Sequence, residues 1–257
     1  MKIKWKGDHE RTCLSDNFDS RGWIRTDNDD WNIFWASVNT IGHIFNVRKE
    51  GQRLNDNQII SHFPNYFELT KKDLMVRNIK RYTRNLMRQQ KLQQKLNNKV
   101  ADSSEGDYQN QIDDEFLIPA SYLLPADYTM FVEEFRRRPK SYWIAKPTNG
   151  ATGRGIFILN RIEQLPKRKG KNDLSMIVSR YIDHPLLIGG KKFDLRLYVL
   201  VTSFRPLQMY IGDGFARFCN TEYTTDPHSM QNRFIHLTNV SIQKQSRDYN
   251  HSHGGKW

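Results

Sequence analysis

The stretch Lys146-Pro147-Thr148-Asn149-Gly150-Ala151-Thr152-Gly153-Arg154-Gly155-Ile156 delivers a lysine into a loop with three glycines. Glycines let backbone N–H groups approach phosphate oxygens closely, and a lysine supplies the compensating charge. A phosphate-binding P-loop needs Gly-Lys-Ser/Thr opening a helix, which is not the layout here, and a Gly-rich hairpin without function has the same look. A second candidate is Lys192-Phe193-Asp194-Leu195-Arg196-Leu197-Tyr198-Val199-Leu200-Val201. On a strand, Phe193, Leu195, Leu197, Val199 and Val201 share one face, which predicts packing on a core. The opposite face lines up Lys192, Asp194 and Arg196 about 7 Å apart. Such a row is a polyphosphate site or a salt-bridge ladder. Arg217 is one arginine in the apolar run Phe215–Cys219, and a buried guanidinium needs an anion, either an internal carboxylate or a substrate's. Ser175–Ile182 runs as an apolar stretch into Asp183-His184-Pro185. It is an ordinary core strand or the place where backbone groups read an adenine edge. His236-Leu237-Thr238-Asn239-Val240-Ser241 and Gly254-Gly255-Lys256-Trp257 offer hydroxyl, amide and ammonium groups, whereas His251 and His253 lack a third metal ligand.

These groups need elements to hold them. β-Branched and aromatic content predicts strands over 142–146, 155–160, 175–182, 193–203 and 207–219. The first 65 residues carry Trp5, Trp23, Trp31 and Trp35 in short alternating runs separated by polar turns such as Asp27–Asp30, which fits a small sheet with an aromatic core. Met75, Ile79, Tyr82 and Leu86 fall at steps of 4, 3 and 4, predicting a long helix over 71–100 with that stripe inward. Gln93–Gln111 is polar and reads as a linker. Asp127 is placed to cap a short helix with Phe131, Val132 and Phe135 inward, ending before Pro139. No internal repeat is evident.

Composition narrows the classes. The 257 residues are 37% hydrophobic and 26% charged, with 40 Lys+Arg against 28 Asp+Glu, a net charge of +12. No run of about 18 apolar residues exists, so no membrane-inserted helix is expected. The start lacks a signal peptide's apolar stretch, and Cys13 and Cys219 form neither a disulfide framework nor a zinc site, so a reducing intracellular compartment is expected. The charge is blocked: residues 71–100 carry net +9, 101–135 net −9 and 136–172 net +10. Two basic blocks suit a polyanionic partner, or a solvated helix face and a loop. Nucleic acid is set aside as a partner because nothing beyond the basic helix supports it.

Taken together and in this order, Lys146-Pro147, Gly153-Arg154-Gly155-Ile156, Tyr181-Ile182, Pro185–Gly190, Lys192–Arg196, Arg217, His236–Asn239 and Gly255-Lys256-Trp257 resemble the tubulin-tyrosine-ligase-like family of ATP-dependent amino-acid ligases. Asn65–Met75 resembles the family as well, and Trp31–Trp35, Leu123–Tyr128 with Phe131–Arg136, and Asp248–His251 resemble its polyglutamylase branch. The resemblance implies an α+β fold of the ATP-grasp type with a small Trp-rich N-terminal lobe (1–70), a central lobe (71–182, with a polar loop at about 90–112) and the start of a C-terminal lobe (183–257). It implies that Lys146, Thr152, Gly153, Ser179, Arg180, Tyr181, Ile182, Lys192, Phe193, Asp194, Thr238 and Asn239 bind ATP. Arg196 and Arg217 would be catalytic, Arg217 and Lys256 would hold free L-glutamate, and Thr152, where this branch more often has Gln, would meet the acceptor protein. The implied reaction is ATP- and Mg²⁺-dependent addition of glutamate to tubulin tails. Tubulin, microtubules and accessory subunits are the implied partners, and cytoplasm, cytoskeleton, axoneme or basal body the implied places. The family's magnesium-binding Glu-x-Asn does not occur in this sequence. The resemblance therefore places the metal ligands beyond residue 257 and leaves this chain inactive and poorly soluble. A non-catalytic tubulin-binding or complex-assembly module is the alternative.

Overall fold

The computed structural model describes residues 2–9, 11–46, 53–98, 118–166, 175–247 and 249, in two compact units, Met1–Thr70 and Lys71–Trp257. In the first unit, β1 (Lys4–Gly7), α1 (Thr12–Asp19), β2 (Ile24–Arg25), β3 (Ile33–Trp35), α2 (Val38–Ile44), β4 (Ile59–Ile60) and α3 (Phe67–Thr70) follow in order. The strands form one parallel sheet, β2-β1-β3-β4. Trp31 and Phe34 are buried with Ala36 and Ile41, while Trp5 is sandwiched against Phe18, which stacks on Trp23. Trp35 lies outside this core, half exposed. The Asp27–Asp30 turn is held by ion pairs from Asp29 to Lys6 (3.2 Å) and Asp30 to Lys4.

The second unit opens with α4 (Lys72–Asn98). The helix ends within the expected 71–100 and runs past the start of the polar 93–111 stretch, because none of Gln, Lys, Leu or Asn breaks a helix as Gly or Pro does. Its inward face is rotated from the expected stripe: Val76 and Thr83 are buried, whereas Tyr82 is 57% exposed. Thr83 satisfies its hydroxyl on the Ile79 carbonyl (3.1 Å), which lets it be buried.

Next come β5 (Ser121–Leu124), α5 (Tyr128–Arg137), β6 (Trp143–Pro147), β7 (Phe157–Leu159) and β8 (Met176–Arg180), with an antiparallel sheet in the order β5-β8-β6-β7. Phe131, Trp143, Ala145, Leu159 and Val178 are fully buried and fix α5 to one face of this sheet. Asp127 precedes α5 but does not cap it with its side chain. Its carboxylate accepts from the Leu123 N–H (3.0 Å) and pairs with Lys80 (3.4 Å), closing the turn between β5 and α5 instead. The other face carries Ile144, Ile158, Tyr181, Met230, Leu237 and Ile242, the last three from the segment holding α6 (Arg233–His236) and α7 (Val240–Gln243).

Between these lie β9 (Leu187–Ile188), β10 (Lys191–Phe204) and β11 (Leu207–Phe218), a three-stranded antiparallel sheet dominated by one long hairpin. The expectation that Leu195, Leu197 and Val199 pack on a core is not met. They are 61%, 59% and 55% exposed, and Leu200 on the other face is 62% exposed. Past its base the hairpin pairs only with itself, and among the described residues nothing covers either face.

Candidate functional site

A cleft of about 280 Å³ runs between the β5-β8-β6-β7 sheet and the start of β10, with the first turns of α4 as a further wall. Of the residues singled out by the sequence, Lys146, Ser179, Arg180, Tyr181, Ile182 and Lys192 line it. Their positions follow from the register. β6 and β8 are antiparallel neighbours pairing Lys146 with Ile177 and Ile144 with Ser179, so alternate residues of each face the cleft together. Ile144, Ile177, Met75 and Val76 give it apolar walls. The Ser179 hydroxyl is buried against that of Ser121 (2.8 Å) and serves the sheet rather than the opening. Beyond Tyr181, whose N–H still donates to the Tyr142 carbonyl, the backbone N–H of Ile182 has no partner among the described residues. An edge of backbone is thus exposed beside an apolar slot.

The two lysines come from different sheets and are both perturbed. Burial, with the charge of Lys72 added, lowers Lys146 below the ordinary lysine range. Burial likewise brings Lys192 down to about 8, with Lys146 contributing. Each ammonium is therefore destabilised by dehydration and by other cations, which an anion between them would reverse.

Lys192 is fixed from below by a chain of hydrogen bonds. Its Nζ donates to the Tyr181 hydroxyl (2.8 Å) and lies 4.3 Å from that ring's centroid. The Tyr181 hydroxyl sits 2.9 Å from His236 Nδ1, and His236 Nε2 lies 3.2 Å from the Ser229 carbonyl. A carbonyl can only accept, so neutral His236 carries its proton on Nε2 and accepts a hydrogen bond from the Tyr181 hydroxyl at Nδ1. Burial holds His236 near 4, so it is neutral at physiological pH. The same burial raises Tyr181, which stays a phenol.

The glycine loop is tied to the cleft wall through Lys72. Thr152, Gly153 and Gly155 all have positive φ (58°, 81° and 68°), costly for threonine and natural for glycine. A Cβ on Gly153 would strike the Ile242 side chain and crowd the Asn239 amide oxygen. The Thr152 carbonyl accepts from the Ser241 hydroxyl (2.7 Å). Lys72 ties the loop's far end, donating to the Pro147 carbonyl (3.2 Å) and to that of Gly150. Thr152, Gly153 and Asn239 are thus brought together, but none of the three lines the cleft.

A third group is held on the hairpin. Asp194 and Arg217 are cross-strand partners, and the guanidinium grips the carboxylate at both oxygens, Nε to Oδ1 at 2.9 Å. Burial would raise the Asp194 carboxyl. Hydrogen bonds from Arg217 and Thr238 and the charges of Arg217 and Arg196 outweigh it and hold it below the usual carboxylate range. Of the two anions open to Arg217 in the sequence, the internal carboxylate is the one it binds. Phe193 stacks on Phe218, centroids 5.4 Å apart. Arg196, Arg217, Phe193, Asp194 and Thr238 are not among the cleft's lining residues, and Lys256 lies outside the described residues.

Lys72, His236 and Tyr223, whose ring lies 5.8 Å from the Lys192 ammonium, play parts that spacing alone did not reveal. The slot's size, its apolar walls and its uncompensated lysines fit a nucleotide with its phosphates. The fit fails for a divalent metal: among the described residues no three His, Cys, Asp or Glu are grouped to hold one, and Asp194 is occupied by Arg217.

A cleft between two β-layers, lined by lysines from both, with a glycine loop tied to its wall, is the plan of an ATP-grasp protein. The C-terminal domain of K. lactis Pby1, an ATP-grasp enzyme interacting with the mRNA decapping enzyme Dcp2, superposes on 95% of this chain and 66% of its own, with a TM-score of 0.53 at 15% identity. The fold is accordingly ATP-grasp. The tubulin-tyrosine ligase family profile matches residues 49–257, and the chain belongs to that family. It is 50% identical to a protein of Tetrahymena thermophila named "Probable alpha-tubulin polyglutamylase Ttll1", over all of this chain and 63% of that one. A Caenorhabditis elegans protein, "Probable tubulin polyglutamylase ttll-9", is 39% identical over 95% of this chain and 55% of its own. The human "Tubulin polyglutamylase TTLL5" is 32% identical over 88% of this chain and 15% of its own. The chain thus spans somewhat over half the length of the first two relatives.

Proposed function

We propose that this chain is the nucleotide-binding part of a tubulin polyglutamylase, an ATP-dependent ligase joining glutamate to side-chain carboxylates of tubulin tails. The single observation that carries the nucleotide assignment is the pair of dehydrated ammonium groups of Lys146 and Lys192 facing one apolar slot, neither in an ion pair among the described residues. The names of the relatives carry the choice of tubulin and glutamate.

In the proposed reaction an acceptor carboxylate oxygen bonds to the γ-phosphorus of ATP as the bond to the β-phosphate oxygen breaks, releasing ADP. The amine of free glutamate then attacks the acyl carbon, phosphate departs, and the amine loses a proton as the amide forms. Phosphoryl transfer of this kind rests on positioning and charge neutralisation. Lys146 and Lys192 would neutralise the phosphates, the Gly153 loop would cover them, and the Ile182 backbone would meet the base. Lys256 would hold glutamate, Arg217 would join it by exchanging the Asp194 carboxylate for the substrate's, Arg196 would face the reacting groups, and Thr152 the acceptor. Magnesium would be supplied by ligands other than the described residues, so no step is assigned to it. On this reading chain 1–257 binds nucleotide without turnover, and cytoskeletal placement at stable microtubules follows from the substrate.

Titration with a fluorescent ATP analogue tests the assignment directly. Saturable binding that falls at least tenfold in both Lys146→Ala and Lys192→Ala supports it, and binding indifferent to both changes overturns it. Labelled-glutamate incorporation into tubulin by chain 1–257 with ATP and Mg²⁺ is expected to stay at background, and robust incorporation would refute the reading of inactivity.

A further inference from the structure

Along α4 the residues Arg77, Arg81, Arg84, Arg88, Lys91 and Lys95 recur at steps of 4, 3, 4, 3 and 4. That spacing places all six on one side of the helix, about 5 Å apart along its axis. All six are exposed, and none makes an ion pair among the described residues. Lys80, on a different face, is the helix cation that is paired, through Asp127. An ordinary solvated helix mixes signs, because acids three or four residues from each base stabilise it. Here no Asp or Glu occurs in the 28 residues between Asp73 and Asp102. Arg81 donates to the Asn78 amide oxygen and Arg84 Nε to the Lys80 carbonyl (3.2 Å), but among the described residues no carboxylate pairs with the row, so its neighbours repel one another.

The row also has a direction. Its helix begins at the cleft, where Lys72, Met75 and Val76 form part of the wall and Lys72 grips the glycine loop. From Arg77 onward the cations lead away from that wall. Leu92, 61% exposed, lies between Arg88 and Lys95 on the helix surface and adds an apolar contact point.

We propose that this row is a docking rail for an acidic peptide, which lies along α4 with its carboxylates on the six cations and one end directed to the cleft. The occupant is an acidic protein segment rather than nucleic acid because the rail is continuous with a cleft proposed to activate a peptide carboxylate. The inference rests on that reading for the identity of the occupant. Held this way, successive glutamates of one segment would slide past a fixed reaction site while the rest of the segment stays bound.

Anisotropy of a labelled 12-residue Glu-rich peptide on the whole chain tests it, with a DNA duplex of equal charge and anionic lipid vesicles as parallel probes. Peptide binding that weakens at least tenfold in Arg88→Glu/Lys91→Glu/Lys95→Glu, and several-fold between 50 and 200 mM salt, supports the rail. ATP-analogue binding is expected to be unchanged in that variant, since none of the three lines the cleft. The neutral variant Arg88→Gln/Lys91→Gln/Lys95→Gln guards against misfolding: Gln is a good helix former and the change removes repulsion, so helicity should hold or rise while peptide binding still drops. Peptide binding indifferent to both variants overturns the proposal, as does retention of DNA or vesicles but not peptide. Failure of the unmutated chain to bind nucleotide while peptide binding keeps its dependence on the row would count against the cleft reading and support the rail.

Discussion

At the scale of single residues, the determining fact is that Lys192 is kept partly dehydrated on a neutral hydrogen-bond chain running through Tyr181 and His236 to the Ser229 carbonyl. With Lys192 near 8, its ammonium is mostly present at pH 7 and lost above that value. Nucleotide association should therefore be near its plateau at pH 7, about halved by pH 8 and fall about tenfold per pH unit above it, Lys192 taking up one proton for each nucleotide bound. Tyr181→Phe removes the acceptor that favours the charged amine, so the alkaline fall should begin at lower pH with the ring's packing retained. Fluorescent-ATP titrations across pH decide it, and superimposable profiles would remove Tyr181 from the account. The acid side belongs to His236, held near 4 by burial against an ordinary 6.5. In the unfolded chain this imidazole takes a proton below 6.5, while in the folded chain it does not until about 4. The stability it contributes is complete above pH 6.5 and lost as pH falls toward 4, about 3 kcal/mol in all. Urea unfolding at pH 7 and 4.5 should show that loss, and His236→Gln should reduce it. The lysines were legible because a glycine loop and an alternating strand mark them. The imidazole beneath was not, because a lone histidine carries no spacing that reveals which hydroxyl it will meet across 55 residues.

Among the elements, strands were easier to read than what they pack against. Tyr142–Lys146, Ser175–Ile182 and the long hairpin fall within a few residues of β6, β8, β10 and β11, since β-branched and aromatic runs report extended backbone directly. Which face is covered depends on segments distant in the chain. For α4 the apolar stripe pointed to Tyr82, yet Thr83 is the buried neighbour, because the helix sits over the sheet by Val76 and threonine can hide its hydroxyl on a carbonyl one turn back. Around α5 the pattern worked. Phe131 is completely buried and meets Trp143 edge-on at 5.2 Å, with Phe135 and Tyr122 completing the ring cluster. Phe131→Ala should cost about 3–5 kcal/mol, since three rings border the void and the sheet behind them cannot close it. Val132→Ala, at a half-buried position on the same helix, should cost clearly less. Chemical denaturation monitored by Trp143 fluorescence compares them, and equal losses would mean that α5 is not anchored by this ring.

For the whole molecule two surface features oppose each other. A net charge of +12 keeps copies apart, while the β10–β11 hairpin offers apolar side chains on both faces, among them the cross-strand pair Val199 and Ile211, 55% and 71% exposed. Charge repulsion between copies is screened within about 10 Å at 0.1 M salt, whereas burial of apolar surface does not weaken with salt. Self-association should therefore increase as salt rises from 20 to 300 mM, the reverse of the salt dependence expected for acidic-peptide binding on α4. Replacing Val199 and Ile211 by threonine keeps the β-favouring branched shape and the net charge but removes apolar surface from one face. Light scattering at matched concentrations should then show association shifted to higher protein concentration at every salt, with the unfolding midpoint of the β5-β8-β6-β7 unit unchanged. An unaltered scattering curve would assign the association to some other surface. A curve that falls with added salt would mean that blocks of opposite charge on neighbouring copies, and not the hairpin, draw them together.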